Sequence, residues 1–165
     1  MQELAPSEEL LKSLLKIASF PISPDAIQRV EFQTSKERER NEMGRVVWPE
    51  EHDRFVKKTT REAITEAIMG MSPNSKTWTS NTIVLDKGGL RSMERPMVII
   101  PLIKPSDPPA KVAVLHQGRT EGVLWKTSIY VLDRQEGFVL LKGKLSYIAV
   151  TCTEELDTEA MTNKV

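Results

Sequence analysis

A chain of 165 residues, 39% hydrophobic and 28% charged, has room for one real core and little more. No apolar run approaches the ~20 residues of a membrane-spanning helix, and the start has no basic region leading into an apolar stretch, so a secreted or membrane-spanning protein is not expected. The 23 basic and 23 acidic residues cancel overall, but residues 45–151 carry 16 basic against 11 acidic while both ends are acidic.

Cys152 is alone in the sequence, so an internal disulfide is excluded and a reducing compartment, cytosolic or nuclear, is expected. A basic body between acidic ends admits an anionic partner, with an ordinary solvated surface as the plainer explanation.

Pro6-Ser7-Glu8-Glu9 reads as a helix start. Ser7 can accept from a free backbone N–H, and the two carboxylates meet the positive end of the helix dipole. Leu10, Leu11, Leu14, Leu15 and Ala18 form one apolar face, and Phe20-Pro21 ends the run. This amphipathic helix is a candidate for docking a protein partner. Residues 26–34 fit a short helix or a strand, with a short helix favoured. Residues 35–45, SKERERNEMGR, are charged and aperiodic, which suits a loop.

Trp48-Pro49-Glu50-Glu51 opens the clearest helix. Phe55, Val56, Thr59, Ala63, Ile64, Ala67 and Ile68 follow at helical spacing, with Gly70 as the expected C-terminal cap. Arg54, Lys57, Lys58 and Arg61 share its outer face. With Arg119 and Lys126 they are the candidate contacts to an anion, whether nucleic-acid phosphate or acidic membrane headgroups. Met71–Ser80 reads as a polar linker.

From Asn81 the pattern turns to strands. Thr82–Asp86, Pro96–Lys104, Lys111–His116, Val123–Asp133, Phe138–Lys142 and Leu145–Thr151 are rich in Val, Leu, Ile, Tyr and Phe. The last three are expected to lie side by side. Pro101 lacks an N–H, so its run is expected at a sheet edge or at a bulge, and as a site of self-association. Trp125, Tyr130, Phe138 and Tyr147 lie inside apolar runs, where core packing is their default role.

The expected architecture is α+β. N-terminal helices pack on an antiparallel sheet or small barrel of about six strands. The chain is expected to be a single domain over 1–165, with a helical, charged segment at 1–44, a globular core at 45–152 and a flexible acidic tail at 153–165.

Catalytic signatures are missing from the sequence. His52 and His116 are the only histidines, and with one cysteine no zinc-ligand spacing arises. There is no phosphate-cradling Gly-x-x-x-x-Gly-Lys loop and no Gly-x-Ser-x-Gly elbow. No metal or cofactor is expected. A Cys152–His116 pair and an Asp86–Asp133 pair are formally available; an inert thiol and turn-forming aspartates account for them.

In layout, helices first, then a compact sheet and a polar tail, the chain is similar to small virus-encoded matrix or accessory proteins. The strand Ile129–Arg134 resembles the strand-Asp-Arg core of plant-virus movement proteins. These resemblances imply no functional residue here. The expected function is non-enzymatic assembly and binding: a homo-oligomer whose basic face meets nonspecific nucleic acid or an acidic membrane. The alternative is a small-ligand or enzymatic domain with a pocket near His116, Arg119 and Glu121.

Overall fold

Strict alternation of side chains builds the centre of the molecule. In Leu145–Cys152, Leu145 and Tyr147 are buried on one face while Ile148 and Val150 are buried on the other. In Met97–Pro101, Met97 and Ile99 face one way and Val98 and Ile100 the other, and all five residues are buried. A strand buried on both faces must lie inside a sheet that is covered on both sides.

The computed structural model describes residues 1–29, 42–68, 78–91, 96–108, 110–116, 119–133 and 135–152. In chain order the elements are β1 (Gln2–Leu4), α1 (Glu8–Ala18), a 3-10 turn (Pro24–Ala26), β2 (Ile27–Arg29), β3 (Glu42–Val46) and α2 (Glu50–Ile68). There follow β4 (Trp78–Lys87), β5 (Gly89–Arg91), β6 (Met97–Pro101), β7 (Lys111–His116) and β8 (Arg119–Leu124). The last are β9 (Ile129–Leu132), β10 (Gly137–Lys142) and β11 (Leu145–Cys152).

The strands pair antiparallel into a seven-stranded sheet, β1-β9-β6-β11-β4-β3-β2, and a four-stranded sheet, β5-β10-β7-β8. Three layers result. Leu10, Leu14 and Ile17 of α1 and Val56, Ala63 and Ile64 of α2 pack on the outer face of the large sheet, against Val98, Ile100, Ile148 and Val150. The inner face packs against the small sheet. There Leu85, Ile99, Tyr130, Leu132 and Tyr147 meet Val112, Val114 and Phe138.

This corrects the expected fold. Helices on about six strands, the α+β arrangement, give way to a two-sheet sandwich. Among the described residues it has eleven strands and two α-helices. Three strands come from the stretch expected to be helical or irregular. Residues 27–29 and 42–46 pair with each other, and 2–4 pair with β9. They are short, so they show little periodicity, and the sheet decides their conformation. In place of the short helix favoured over 26–34, Ala26 closes a 3-10 turn and Ile27–Arg29 form β2, while 30–34 lie outside the described residues. Most of the charged run 35–45 lies outside the described residues, as do Gly70 and the tail 153–165.

The strands of 122–152 are not neighbours. The expected strand 123–133 breaks at Trp125–Ser128, and its halves belong to different sheets. β8 and β10 lie in the small sheet, β9 and β11 in the large one, so the chain passes between sheets at each connection.

β6 is central rather than an edge, flanked by β9 and β11. Its proline is tolerated for a local reason. Leu102 N–H donates to Ser146 O at 2.7 Å, so the next backbone position inward, Pro101, faces away from β11. On that side the pairing with β9 ends at Ile99. The donor that proline lacks falls just beyond the ladder.

Where expectation and structure agree, local chemistry explains it. Ser7 Oγ accepts from Leu10 N–H at 3.3 Å, and its own N–H and hydroxyl donate to Glu66 at 2.8 and 3.0 Å. One serine therefore caps α1 and ties it to the far end of α2. No helix among the described residues is long and apolar enough to cross a membrane.

Candidate functional site

A run of aromatic rings fills the core between the sheets. Trp125 follows β8, and its N–H donates to Ala110 O at 3.1 Å, which holds the indole at the end of the small sheet. Tyr130 reaches in from β9, Phe138 from β10 and Tyr147 from β11. Trp125 stacks on Tyr130 with centroids 4.7 Å apart and lies 4.4 Å from Phe138. Phe138 meets Tyr147 edge-on at 5.5 Å. All four are fully buried at 0% exposure, which is why their polar tips matter.

Those tips differ. The Tyr130 hydroxyl accepts from Lys126 N–H at 3.2 Å. The indole Nε1–H of Trp125 and the hydroxyl of Tyr147 are buried without a hydrogen-bond partner. Burial pushes Tyr147 well above the ordinary tyrosine range, so it stays a neutral phenol. Burial also raises Tyr130, partly countered by its bond to the Lys126 backbone. An unpaired buried donor costs about 1–3 kcal/mol, so two of them touching one phenylalanine call for an explanation.

Charge is scarce inside. Glu136 is the only buried charged residue among those described, at 2% exposure. It accepts from Asp133 N–H at 2.8 Å and from the Met1 amino group. Among the described residues no group of three or more His, Cys, Asp or Glu could hold a metal ion.

The residues expected to contact anions lie elsewhere. Arg54, Lys57, Lys58 and Arg61 are exposed on α2. Arg54 pairs with Glu50 at 2.7 Å and Lys57 with Asp53 at 2.8 Å, so half of this patch is matched by acids of its own helix. Lys126 sits on the β8–β9 connection, 3.3 Å from Glu3. Arg119 opposes His116 at the end of the β7–β8 hairpin. Pairs two positions apart run along that hairpin from apolar to polar: Val112 with Val123, Val114 with Glu121, His116 with Arg119.

The members of the formally available pairs fall on separate elements. Cys152 ends β11 in the large sheet, and His116 ends β7 in the small one. Asp86 is 3.5 Å from Lys144, and Asp133 shares a turn with Glu136. His52 stacks on Phe20 at 4.0 Å, with its Nδ1 buried and unpartnered.

No protein-family model and no curated protein sequence matches the chain. Solved structures do superpose on it loosely. The EutQ protein of Clostridium difficile is 7% identical and covers 83% of both chains with a TM-score of 0.43. A cupin 2 conserved barrel domain protein from Rhodopseudomonas palustris is 7% identical over 78% of this chain and 72% of its own, at 0.43. A predicted oxalate decarboxylase from Thermotoga maritima is 10% identical over 81% and 98%, at 0.41. Likeness this loose assigns neither ligand nor reaction.

The expected viral assembly protein of matrix or movement type, self-associating and bound to nucleic acid or headgroups, is corrected. The proline-bearing edge meant for self-association is the middle of a sheet. The basic face is partly matched by its own helix.

Sequence reasoning took Trp125 and Tyr147 as core residues, and they are buried. Their unpaired polar atoms were missed. The only signal available was that two of the four inward aromatics, besides Tyr130, carry a hydrogen-bonding tip.

Proposed function

We propose that this chain is a small-molecule-binding domain that holds its ligand between the two sheets, against Trp125, Phe138 and Tyr147. One observation carries the reading: two hydrogen-bonding groups, Trp125 Nε1 and Tyr147 OH, are fully buried in one aromatic cluster with no partner in the protein. A mostly apolar pocket with a few convergent polar groups is what small-molecule sites are made of. A ligand that bonds to these groups offsets their desolvation, and a protein without one bears it unrelieved.

We propose binding without catalysis. The cluster supplies rings and two neutral hydrogen-bonding groups. With its pKa raised by burial, Tyr147 is no base near neutral pH. A cytosolic or nuclear setting fits the single cysteine.

Fluorine NMR on protein labelled with 5-fluorotryptophan tests the reading. Trp48, Trp78 and Trp125 give one signal each, and Trp125→Phe identifies its own. A panel of neutral aromatic and aliphatic compounds should contain members that shift the Trp125 signal and leave Trp48 and Trp78 in place. If no compound moves Trp125, or all three signals move together, the site is not between the sheets.

A further inference from the structure

The chemistry of the inter-sheet site also narrows the class of ligand, an inference that rests on the binding reading above. We infer that the site takes a neutral, planar aromatic compound carrying a carbonyl-type oxygen, which accepts hydrogen bonds from Trp125 Nε1–H and the Tyr147 hydroxyl.

Each part of that description comes from a named group. The indole Nε1–H donates and cannot accept, so the ligand must offer an acceptor there. The Tyr147 hydroxyl keeps its proton, so it too can donate. Each of the two groups lacks an acceptor in the protein, and a carbonyl oxygen, with two lone pairs, can accept from either.

Neutrality follows from what surrounds the donors. No Lys, Arg or His is among the buried residues described, and the Met1 amino group is already paired with Glu136, so a carboxylate or phosphate would enter the cluster with no free cation to meet it. Among the described residues the one buried charged side chain is negative: Glu136, which lies in the turn leading into the strand of Phe138. An ammonium compound finds no free carboxylate there, because Glu136 already accepts from the Met1 amino group and the Asp133 N–H. Planarity follows from the walls. Trp125 already takes Tyr130 in near-parallel stacking at 14° and Phe138 at a 54° tilt, and Phe138 takes Tyr147 edge-on at 83°. Flat rings fill such surfaces with offset or edge contacts, and an aliphatic chain loses that contribution.

Four probes of about 10–13 non-hydrogen atoms separate the possibilities: 2-acetylnaphthalene, naphthalene, 2-naphthoate and decan-2-one. Affinities are measured by the Trp125 fluorine shift in the wild-type chain and in Tyr147→Phe. The inference expects 2-acetylnaphthalene to bind at least tenfold more tightly than each of the others. It also expects Tyr147→Phe to remove most of that preference over naphthalene while leaving naphthalene itself within about twofold.

Equal binding of naphthalene and 2-acetylnaphthalene overturns the acceptor and leaves the inter-sheet site standing. Tighter binding of 2-naphthoate overturns neutrality, and tighter binding of decan-2-one overturns planarity. If no probe moves the Trp125 signal, the inference falls together with the proposed function. Tyr147→Phe keeps the ring and its packing, so it is expected to fold. Trp125→Phe, which leaves a void, serves only as a second check on the donor.

Discussion

Tyr147 carries its hydroxyl into an apolar cluster where nothing receives it. Removing that oxygen costs no hydrogen bond and ends a desolvation penalty. Tyr147→Phe is therefore expected to stabilise the ligand-free protein, by about 1–3 kcal/mol. Urea denaturation measures this as a higher midpoint at unchanged slope. A lowered midpoint would mean that the hydroxyl has a partner. The same residue sets an alkaline limit. Its folded pKa lies above the ordinary 10.0, so the unfolded chain gives up the proton first as pH rises. Above about pH 10 the unfolded state then binds fewer protons than the folded one, and stability falls by roughly 1.4 kcal/mol per pH unit until the folded pKa is reached. Below pH 10 the contribution is fully present. Denaturation midpoints at pH 9 and pH 11, compared between wild type and Tyr147→Phe, isolate the contribution of this residue. Equal slopes in the two proteins would place Tyr147 in contact with water. Trp48 is the opposite case. Its Nε1–H donates to Thr82 Oγ1 at 2.8 Å, both residues buried, so Trp48→Phe strands the threonine hydroxyl and is expected to lower stability by about 1–3 kcal/mol. Trp48→Phe in a Thr82→Val background should cost less, and full additivity would show that the bond contributes nothing.

At the scale of elements, the small sheet depends on one close approach. Gly89 of β5 opposes Val139 of β10, and a Cβ built on it would lie 1.9 Å from the Phe138 carbonyl oxygen and 2.8 Å from Val139 Cα. Both atoms are backbone, so no side chain can turn aside. Gly89→Ala is expected to push β5 off β10 and to cost about 1–3 kcal/mol. Amide exchange should quicken at Val139 and Leu140, whose N–H donates to Gly88 O at 2.8 Å. Unchanged exchange would mean that the strands do not run that close. No reader of the sequence could have placed Gly89 there, because its partner strand is far along the chain. The elements that were legible carry their reasons locally. α1 announces itself through Ser7, two acids and leucines at helical spacing, and α2 through Pro49 and its own acidic turn. Most strands from Thr82 onward were also legible, since β-branched and aromatic residues cluster there, but β5 was not expected and β8 and β9 were read as one. Neighbour relations were not. β9 and β10 are joined by a tight turn at Asp133–Glu136, which suggests a hairpin, yet they belong to different sheets. Pro101 pointed to an edge because its missing donor was visible while the short reach of β9 was not.

At the scale of the molecule, the large sheet is a partition. Helices cover one face and give a conventional apolar core; the other face and the small sheet enclose the aromatic cluster with its two unpaired donors. If a ligand binds as proposed, stability and binding are set against each other at Tyr147, and that opposition can be measured. Without ligand, Tyr147→Phe is the more stable protein. With 2-acetylnaphthalene at 100 times the wild-type Kd, the wild-type chain gains about 2.7 kcal/mol. If the variant binds tenfold more weakly, it gains only about 1.4 kcal/mol at the same concentration. The gap between the two should close by about 1.3 kcal/mol and, where the ligand-free difference is near the lower end of its range, reverse in sign. Thermal unfolding of both proteins across a ligand series reads the crossing directly. Parallel curves would mean that the hydroxyl does not touch the ligand. Two flat curves would mean that nothing binds between the sheets. A neutral hydrogen-bonding group kept in an apolar interior at a cost to the empty protein is accounted for only by the crossing.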